Sequence, residues 1–170
     1  MIILGIDPGT ASTGFGLIDY DGSRIELKEF GCIRTGSKMH LSERLRIIYE
    51  KISGIINEFE PEIVVIEQLF FNTNAKTALA VGQARGVAML AAALSEKEVQ
   101  EYTPLQVKQA LVGYGRAHKK QVQYMVRSIL KLNFTPKPDD AADALGLAIC
   151  HAHSIRYKKG VSKADSISKR

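Results

Sequence analysis

The chain has 170 residues, of which 45% are hydrophobic and 24% charged, and its formal net charge is +5. This composition is ordinary for a globular protein and excludes a collagen-like chain, a coiled-coil rod or a wholly disordered polypeptide. Two cysteines are too few for a disulfide framework, and the sequence contains no apolar run long enough to span a membrane. We therefore expect a cytoplasmic protein with a core of its own.

The first part of the chain predicts three strands that form an antiparallel meander. Each is a short apolar or alternating segment bounded by turn residues, and the three span residues 2–6, 13–20 and 24–34. The sequence Asp21-Gly22 between the second and third strands is typical of a hairpin turn. A helix follows, since apolar residues recur at every third or fourth position from Leu41 to Phe59.

The rest of the chain alternates between strand and helix patterns. A fourth strand over 63–66 and a fifth over 99–102 flank a second helix that is rich in Ala and Gly. The predicted helices span residues 74–94, a segment that begins at Pro104, then 118–132 and 139–154. We expect an α/β domain over residues 1–155, with a five-stranded mixed sheet flanked by helices, and a basic, disordered tail over 156–170.

Four acidic residues are candidates for a catalytic site. Asp7 and Glu67 end the first and fourth strands, so they meet at one sheet edge if those strands are parallel neighbours. Asp140 and Asp143 are three residues apart near the start of the last helix and share a face. Oxygen ligands without His or Cys favour Mg²⁺ or Mn²⁺. Each acid alone can equally be a turn or helix cap. Asp139 is the expected N-cap of the last helix, although a shift of one residue would exchange its role with Asp140, which leaves open whether Asp139 contributes to the site.

Charge is unevenly distributed along the chain. Residues 102–138 contain seven Lys and Arg and no acid, whereas 139–155 contain three aspartates and no Lys or Arg. A basic segment beside an acidic cluster favours a polyanion bound around a metal site, although a solvated basic helix face has the same composition. Lys119 and Lys120 lie at a predicted helix start, where a cation is unfavourable unless it binds an anion such as phosphate.

Small residues form a ridge on the second predicted helix. Ala75, Ala78, Gly82 and Gly86 recur at three- and four-residue spacing. Each helical Gly costs about 1 kcal/mol relative to Ala, so a closely packed partner is expected in compensation. That partner is either the sheet of the same domain or the same helix of a second subunit.

The ordered motifs resemble the RuvC family of Holliday junction resolvases, in the ribonuclease H-like superfamily. The resemblance covers about residues 1–155 and is carried by IILGIDPGT at 2–10, GCIRT at 31–35, IEQLFFNTNAKTALAVGQARGVA at 66–88, QVKQALVG at 106–113, KKQVQYMVRSILKL at 119–132 and DDAADALGLAICHAH at 139–153. GIDPGT alone is a weak signal because actin-like ATPases carry a similar phosphate loop. The ordered set is highly specific.

The resemblance implies a crossover junction endodeoxyribonuclease of DNA recombination and repair. Such an enzyme is a homodimer that nicks two opposing strands of a four-way junction symmetrically and leaves 5′-phosphate ends. The implied catalytic and metal-binding residues are Asp7, Glu67, Asp140 and Asp143, with two Mg²⁺ ions per subunit and Mn²⁺ as a substitute. The implied partner besides DNA is the RuvA–RuvB branch-migration complex.

The same resemblance implies DNA-contacting residues. Lys108 and Lys119 fall near the scissile strand, and Phe70 falls where family members contact junction bases, with Phe71 as a rival. Arg116 and Lys120, in the same basic segment, complete the expected DNA-binding set.

Two other classes remain open from the residues alone. In an actin-like or sugar-kinase-like phosphotransferase, the segment Asp7-Pro8-Gly9-Thr10 would hold ATP phosphates, but that class needs two such domains around the nucleotide. The other alternative is a non-catalytic junction-binding module, against which the four intact acids argue.

Overall fold

The computed structural model describes residues 1–68 and 75–168, with side chains over 1–68 and 78–155. In these ranges the strands are β1 (Ile2–Asp7), β2 (Ser12–Tyr20), β3 (Ile25–Arg34), β4 (Ile63–Glu67) and β5 (Glu98–Tyr102). The helices are α1 (Leu41–Phe59), α2 (Ala75–Leu94), α3 (Pro104–Val112), α4 (Lys119–Ile129) and α5 (Asp139–Ser168). None of the helices in the described part of the chain is both long and apolar enough to cross a membrane.

The five strands form one mixed sheet in the order β3-β2-β1-β4-β5. The meander β1-β2-β3 is antiparallel, whereas β4 pairs in parallel with both β1 and β5. Parallel pairing aligns Ile6 with Ile66, so the carboxyl ends of β1 and β4 lie side by side at one edge of the sheet. The predicted fold class and the adjacency of the first and fourth strands are confirmed.

Both faces of the sheet are covered by helices, which explains why its central strands read as continuous apolar runs. Ile3 packs with α3, α4 and α5, whereas the next residue, Leu4, packs with α1 and α2. In the same way, Val64 packs in the core between the sheet and α1 and α2, and Val65 packs in the core on the other face, with α3, α4 and α5. Successive side chains of a strand point to opposite faces, so the inner positions of β1 and β4 are buried and only their end residues are half-buried.

Glycines allow α5 to lie directly on the sheet. A Cβ atom at Gly5 would overlap the carbonyl oxygen of Ala144, and one at Gly14 would overlap that of Asp140. With only hydrogen at these positions, the helix backbone approaches β1 and β2 more closely than any side chain would permit. The close contact brings the first turns of α5, which carry Asp140 and Asp143, to the edge where β1 and β4 end.

The structure differs from the predicted elements at the ends of α4 and α5. Helix α4 ends at Ile129, before the predicted end at 132. Helix α5 continues to Ser168, so its predicted end at Ser154 is wrong. The division into a domain over 1–155 and a basic tail over 156–170 stays a prediction. That segment contains no proline and one glycine, so nothing in it forces the helix to stop. Helix α5 starts at Asp139 as predicted, but its capping differs. The N–H groups of Ala141 and Ala142 donate to the carbonyl of Pro138, so Asp139 is the first helical residue and not the N-cap.

Candidate active site

Three elements bring four carboxylates to one edge of the sheet. Asp7 ends β1, Glu67 ends β4, and Asp140 and Asp143 lie in the first two turns of α5. All four side chains are half-buried. Asp7 feels the negative charge of each of the other three, which makes it the centre of the cluster. The four acids singled out in the sequence are therefore neighbours in space.

Ionising all four carboxylates of the cluster at once is electrostatically unfavourable. Burial, followed by the charges of Glu67, Asp143 and Asp140, raises the pKa of Asp7 to about 8. Burial and then the charge of Asp143 also raise the pKa of Glu67. Burial raises the pKa of Asp143 as well. Carboxylates that resist losing their protons together require a cation if all are to be ionised at neutral pH.

Lys119 supplies one positive charge to this cluster. Its Nζ atom lies 3.0 Å from Oδ2 of Asp143 and 3.5 Å from Oδ2 of Asp139. Burial lowers the pKa of Lys119, but the hydrogen bonds and charges of the two aspartates outweigh burial and raise it. Lys119 is the first residue of α4, so the cation that the helix dipole disfavours is stabilised here by carboxylates.

A cleft of about 220 Å³ opens beside these acids. It is lined by Glu67, Pro104, Val107, Lys108, Lys119, Val122, Asp143 and Leu147. Acidic groups therefore share the cleft with two lysines and apolar walls. The mixture suits a group that carries negative charge and coordinates a cation at the same time.

A capping box holds Lys108 in this cleft. The hydroxyl of Thr103 accepts from the N–H of Gln106 (3.1 Å), and the side chain of Gln106 accepts from the N–H of Thr103 (2.8 Å). Pro104 then begins α3, which places Lys108 one turn along the helix and facing the charge of Glu67. The local sequence T-P-x-Q thus fixes where the lysine emerges.

Two of the remaining residues expected to bind DNA do not line the cleft in the described part of the chain. Arg116 and Lys120 are exposed and absent from its described lining. Phe70, and its rival Phe71, lie outside the described residues. Their predicted contact with junction bases therefore stays a prediction.

Two sets of contacts that support the site, made by Arg85 and by Asp139, were not predicted from the sequence. Arg85 of α2 donates from Nε to the carbonyl oxygen of Glu67 (3.2 Å) and forms an ion pair with Glu101, so it holds the end of β4. The only signal for it was a charged residue in an Ala-rich helix. Asp139 was expected as the N-cap, with its contribution to the site left open, and its ion pair with Lys119 had no signal in the sequence.

The side chains as they stand do not form a ready metal site. Within residues 1–68 and 78–155, no three His, Cys, Asp or Glu side chains are gathered closely enough to hold a metal ion. The donor chemistry nevertheless fits a hard divalent cation, because the neighbouring carboxylates offer oxygen alone and have raised pKa values. Cation binding would require side-chain movement, with Lys119 leaving Asp143.

This sheet order, with acidic residues ending β1 and β4 and beginning α5, defines a nuclease of the ribonuclease H-like class. A family model described as "Crossover junction endodeoxyribonuclease RuvC" matches residues 3–151. The chain belongs to this RuvC family. The predicted function, an endonuclease that resolves Holliday junctions in recombination and repair, is confirmed, and the phosphotransferase and non-catalytic alternatives are excluded.

Individual relatives agree with the family model. The crossover junction endodeoxyribonuclease RuvC of Alkaliphilus metalliredigens is 58% identical over 158 residues, covering 93% of this chain and 96% of that protein. That of Alkaliphilus oremlandii is 60% identical over 157 residues, covering 92% and 96%. The solved structure of Thermus thermophilus RuvC has a TM-score of 0.86 at 36% identity, covering 93% and 97% of the two chains. A second structure, T. thermophilus RuvC in complex with Holliday junction substrate, has a TM-score of 0.85 at 34% identity, covering 92% and 96%.

Proposed function

We propose that Asp7, Glu67, Asp140 and Asp143 form the catalytic set and bind two Mg²⁺ ions, for which Mn²⁺ can substitute. When bound, such ions supply an activated water and stabilise the departing oxygen in phosphodiester hydrolysis. The observation that carries the proposal is the carboxylate cluster, in which burial and then the repulsion between the carboxylates raise the pKa of Asp7 to about 8. Divalent cations relieve that repulsion, so the cluster favours a cation-bound state.

The lysines of the cleft are proposed to bind the phosphates of the strand that is cut. Lys108 and Lys119 line the same cleft as Glu67 and Asp143, so a phosphate that enters it meets both charges. Arg116 and Lys120 are exposed and would contact the DNA backbone outside the cleft. Binding by these four residues positions the scissile phosphate over the carboxylates.

A four-way junction is the proposed substrate, as in the T. thermophilus complex. We propose that two opposing strands are nicked symmetrically, leaving 5′-phosphate ends, and this requires two active sites and hence a homodimer. The RuvA–RuvB complex as a partner and the cytoplasmic location rest on the family resemblance and composition alone.

Cleavage of a labelled four-way junction tests this function, with a linear duplex of the same sequence as the matched control. We expect paired, symmetric nicks in the junction when Mg²⁺ or Mn²⁺ is present and none in EDTA. Equal cutting of the duplex would contradict junction selectivity. Cutting in EDTA would contradict the metal requirement, and binding without cutting under either cation would contradict the catalytic assignment.

Helix α2 carries the surface that favours a dimer. Leu79, Leu90 and Leu94 are 66%, 52% and 63% exposed, and a Cβ atom at Gly86 would meet nothing within 4 Å. Leu79, Gly86 and Leu90 are separated by seven and four residues, so they lie on one face of the helix. That face carries Gly86 of the predicted small-residue ridge, and its apolar side chains are available to a second copy.

Replacing Leu90 with Lys is expected to give a monomer, because it places a charge in the middle of this apolar stripe. The monomer should nick one strand at a time, so that singly nicked junctions accumulate. Sedimentation measures the mass, and cleavage of a supercoiled cruciform plasmid separates paired cuts from single nicks. Leu41→Lys, at the exposed start of α1, is the matched control and should remain dimeric. A dimeric Leu90→Lys protein with paired cuts would contradict this interface.

A further inference from the structure

Asp139 binds two lysines through its two oxygen atoms. Its Oδ2 atom lies 3.5 Å from Nζ of Lys119, and its Oδ1 atom accepts a hydrogen bond of 2.9 Å from Nζ of Lys137. Lys119 is at the same time 3.0 Å from Oδ2 of Asp143. One ammonium group is therefore shared between a carboxylate of the proposed catalytic set and a carboxylate beside it.

Asp139 lies at the margin of the carboxylate cluster. Its charge contributes to the raised pKa of Asp143 but not to those of Asp7 and Glu67. Asp139 is 44% exposed and does not line the described cleft. Its Oδ1 atom accepts a hydrogen bond from Lys137 and its Oδ2 atom faces Lys119, so this carboxylate lies between two ammonium groups.

We propose that Asp139 is a positioning residue, which retains Lys119 at the mouth of the cleft when a divalent cation binds Asp143. The inference rests on the proposed function, in which Asp143 is a metal ligand and Lys119 contacts the scissile phosphate. A dication on Asp143 repels an ammonium group that lies 3.0 Å from the same carboxylate. Asp139 offers that ammonium a second anionic partner within a small movement, so Lys119 does not leave for solvent.

The replacement Asp139→Asn tests the proposal, because it removes the charge at almost unchanged size on an exposed residue. We expect single-turnover cleavage at saturating junction and Mg²⁺ to fall on the order of tenfold, since small misplacements of catalytic groups have effects of this size. In a Lys119→Ala background the same replacement should have no effect. Asp139→Glu should restore most of the rate, because it returns the carboxylate.

Junction binding gives a second readout that does not depend on turnover. In Ca²⁺, the salt dependence of junction binding should weaken by about one unit of slope in Asp139→Asn, as expected when one phosphate contact is lost. In EDTA the slope should be unchanged, because Lys119 keeps Asp143 as its partner. Glu50→Gln removes an exposed, ion-paired acid from α1 (its partner Arg46 at 2.6 Å) and is the matched control, expected to change neither readout.

Three outcomes would overturn the proposal. Faster cleavage and tighter binding in both backgrounds would show that Asp139 only repels DNA. If Asp139→Asn lowers the cleavage rate equally with and without Lys119, Asp139 does not act through Lys119. If the salt dependence of junction binding in Ca²⁺ is unchanged in Asp139→Asn, Lys119 keeps its phosphate contact without Asp139. Failure of the wild-type protein to cut junctions with metal would instead contradict the proposed function, so the two failures are distinguishable.

Discussion

Asp7→Asn is expected to lower junction cleavage by about 10³-fold or more while junction binding persists, since metal-assisted charge stabilisation contributes several kcal/mol to such reactions. Asp7 lies at the centre of the carboxylate cluster, where it feels the charges of Glu67, Asp143 and Asp140. The amide keeps the shape of the side chain but removes the anionic ligand. Binding should be equal or slightly tighter, because one negative charge near the DNA backbone is lost. Single-turnover cleavage in Mg²⁺ and fluorescence anisotropy in Ca²⁺ measure the two effects.

Asp19→Asn is the matched control for this variant. Asp19 pairs in register with Ile2, at the opposite edge of the sheet from Asp7, so the same chemical change there should leave cleavage intact. Normal cleavage by Asp7→Asn would remove Asp7 from the catalytic set. Loss of both binding and the cooperative melting transition would mean that the variant had failed to fold, in which case Asp7→Ser offers a smaller neutral replacement.

The parts of this fold that depend on local sequence could be predicted. The turn at Asp21-Gly22 could be predicted because only residues close in sequence form it. Gly22 adopts a positive φ of 100°, and the side chain of Asp21 accepts hydrogen bonds from the N–H groups of Ser23 and Arg24. The acids could be predicted as a site because strand ends and helix starts are local features. Their meeting in space needed only one topological assumption, that the first and fourth strands are parallel neighbours.

The parts that depend on packing could not be predicted. The hydrogen bond from Arg85 to the carbonyl of Glu67 joins residues 18 apart, and it exists because α2 returns to the end of β4. The sharing of Lys119 between Asp139 and Asp143 joins the first residue of α4 to the first two turns of α5, so it depends on how the two helices pack. No spacing rule in the sequence encodes this packing, because side chains on both helices set it together.

The cation-free protein is expected to lose stability as the pH rises from about 4 to about 8. The ordinary pKa of an aspartate is 3.8, and in the folded protein burial and neighbouring carboxylates raise that of Asp7 to about 8. Between these values the folded state holds a proton that the unfolded chain has released, so raising the pH favours unfolding. The raised pKa values of Glu67 and Asp143 act in the same direction. The stabilising contribution is complete below pH 4 and is lost once the pH has passed about 8.

The raised pKa of Asp7 corresponds to a loss of a few kcal/mol in the free energy of unfolding as the pH rises. For a domain of this length, that loss lowers the melting temperature by about 10 °C. Melting curves in EDTA from pH 5 to 8 measure the loss, and Asp7→Asn, which cannot ionise, should show a flatter dependence than the wild type. Addition of Mg²⁺ or Mn²⁺ at pH 8 should restore most of the wild-type stability and little of the variant's, because cation binding stabilises the ionised carboxylates. Parallel pH curves for the two proteins would show that Asp7 is not held protonated. Equal stabilisation of both by the cations would place the cation away from Asp7.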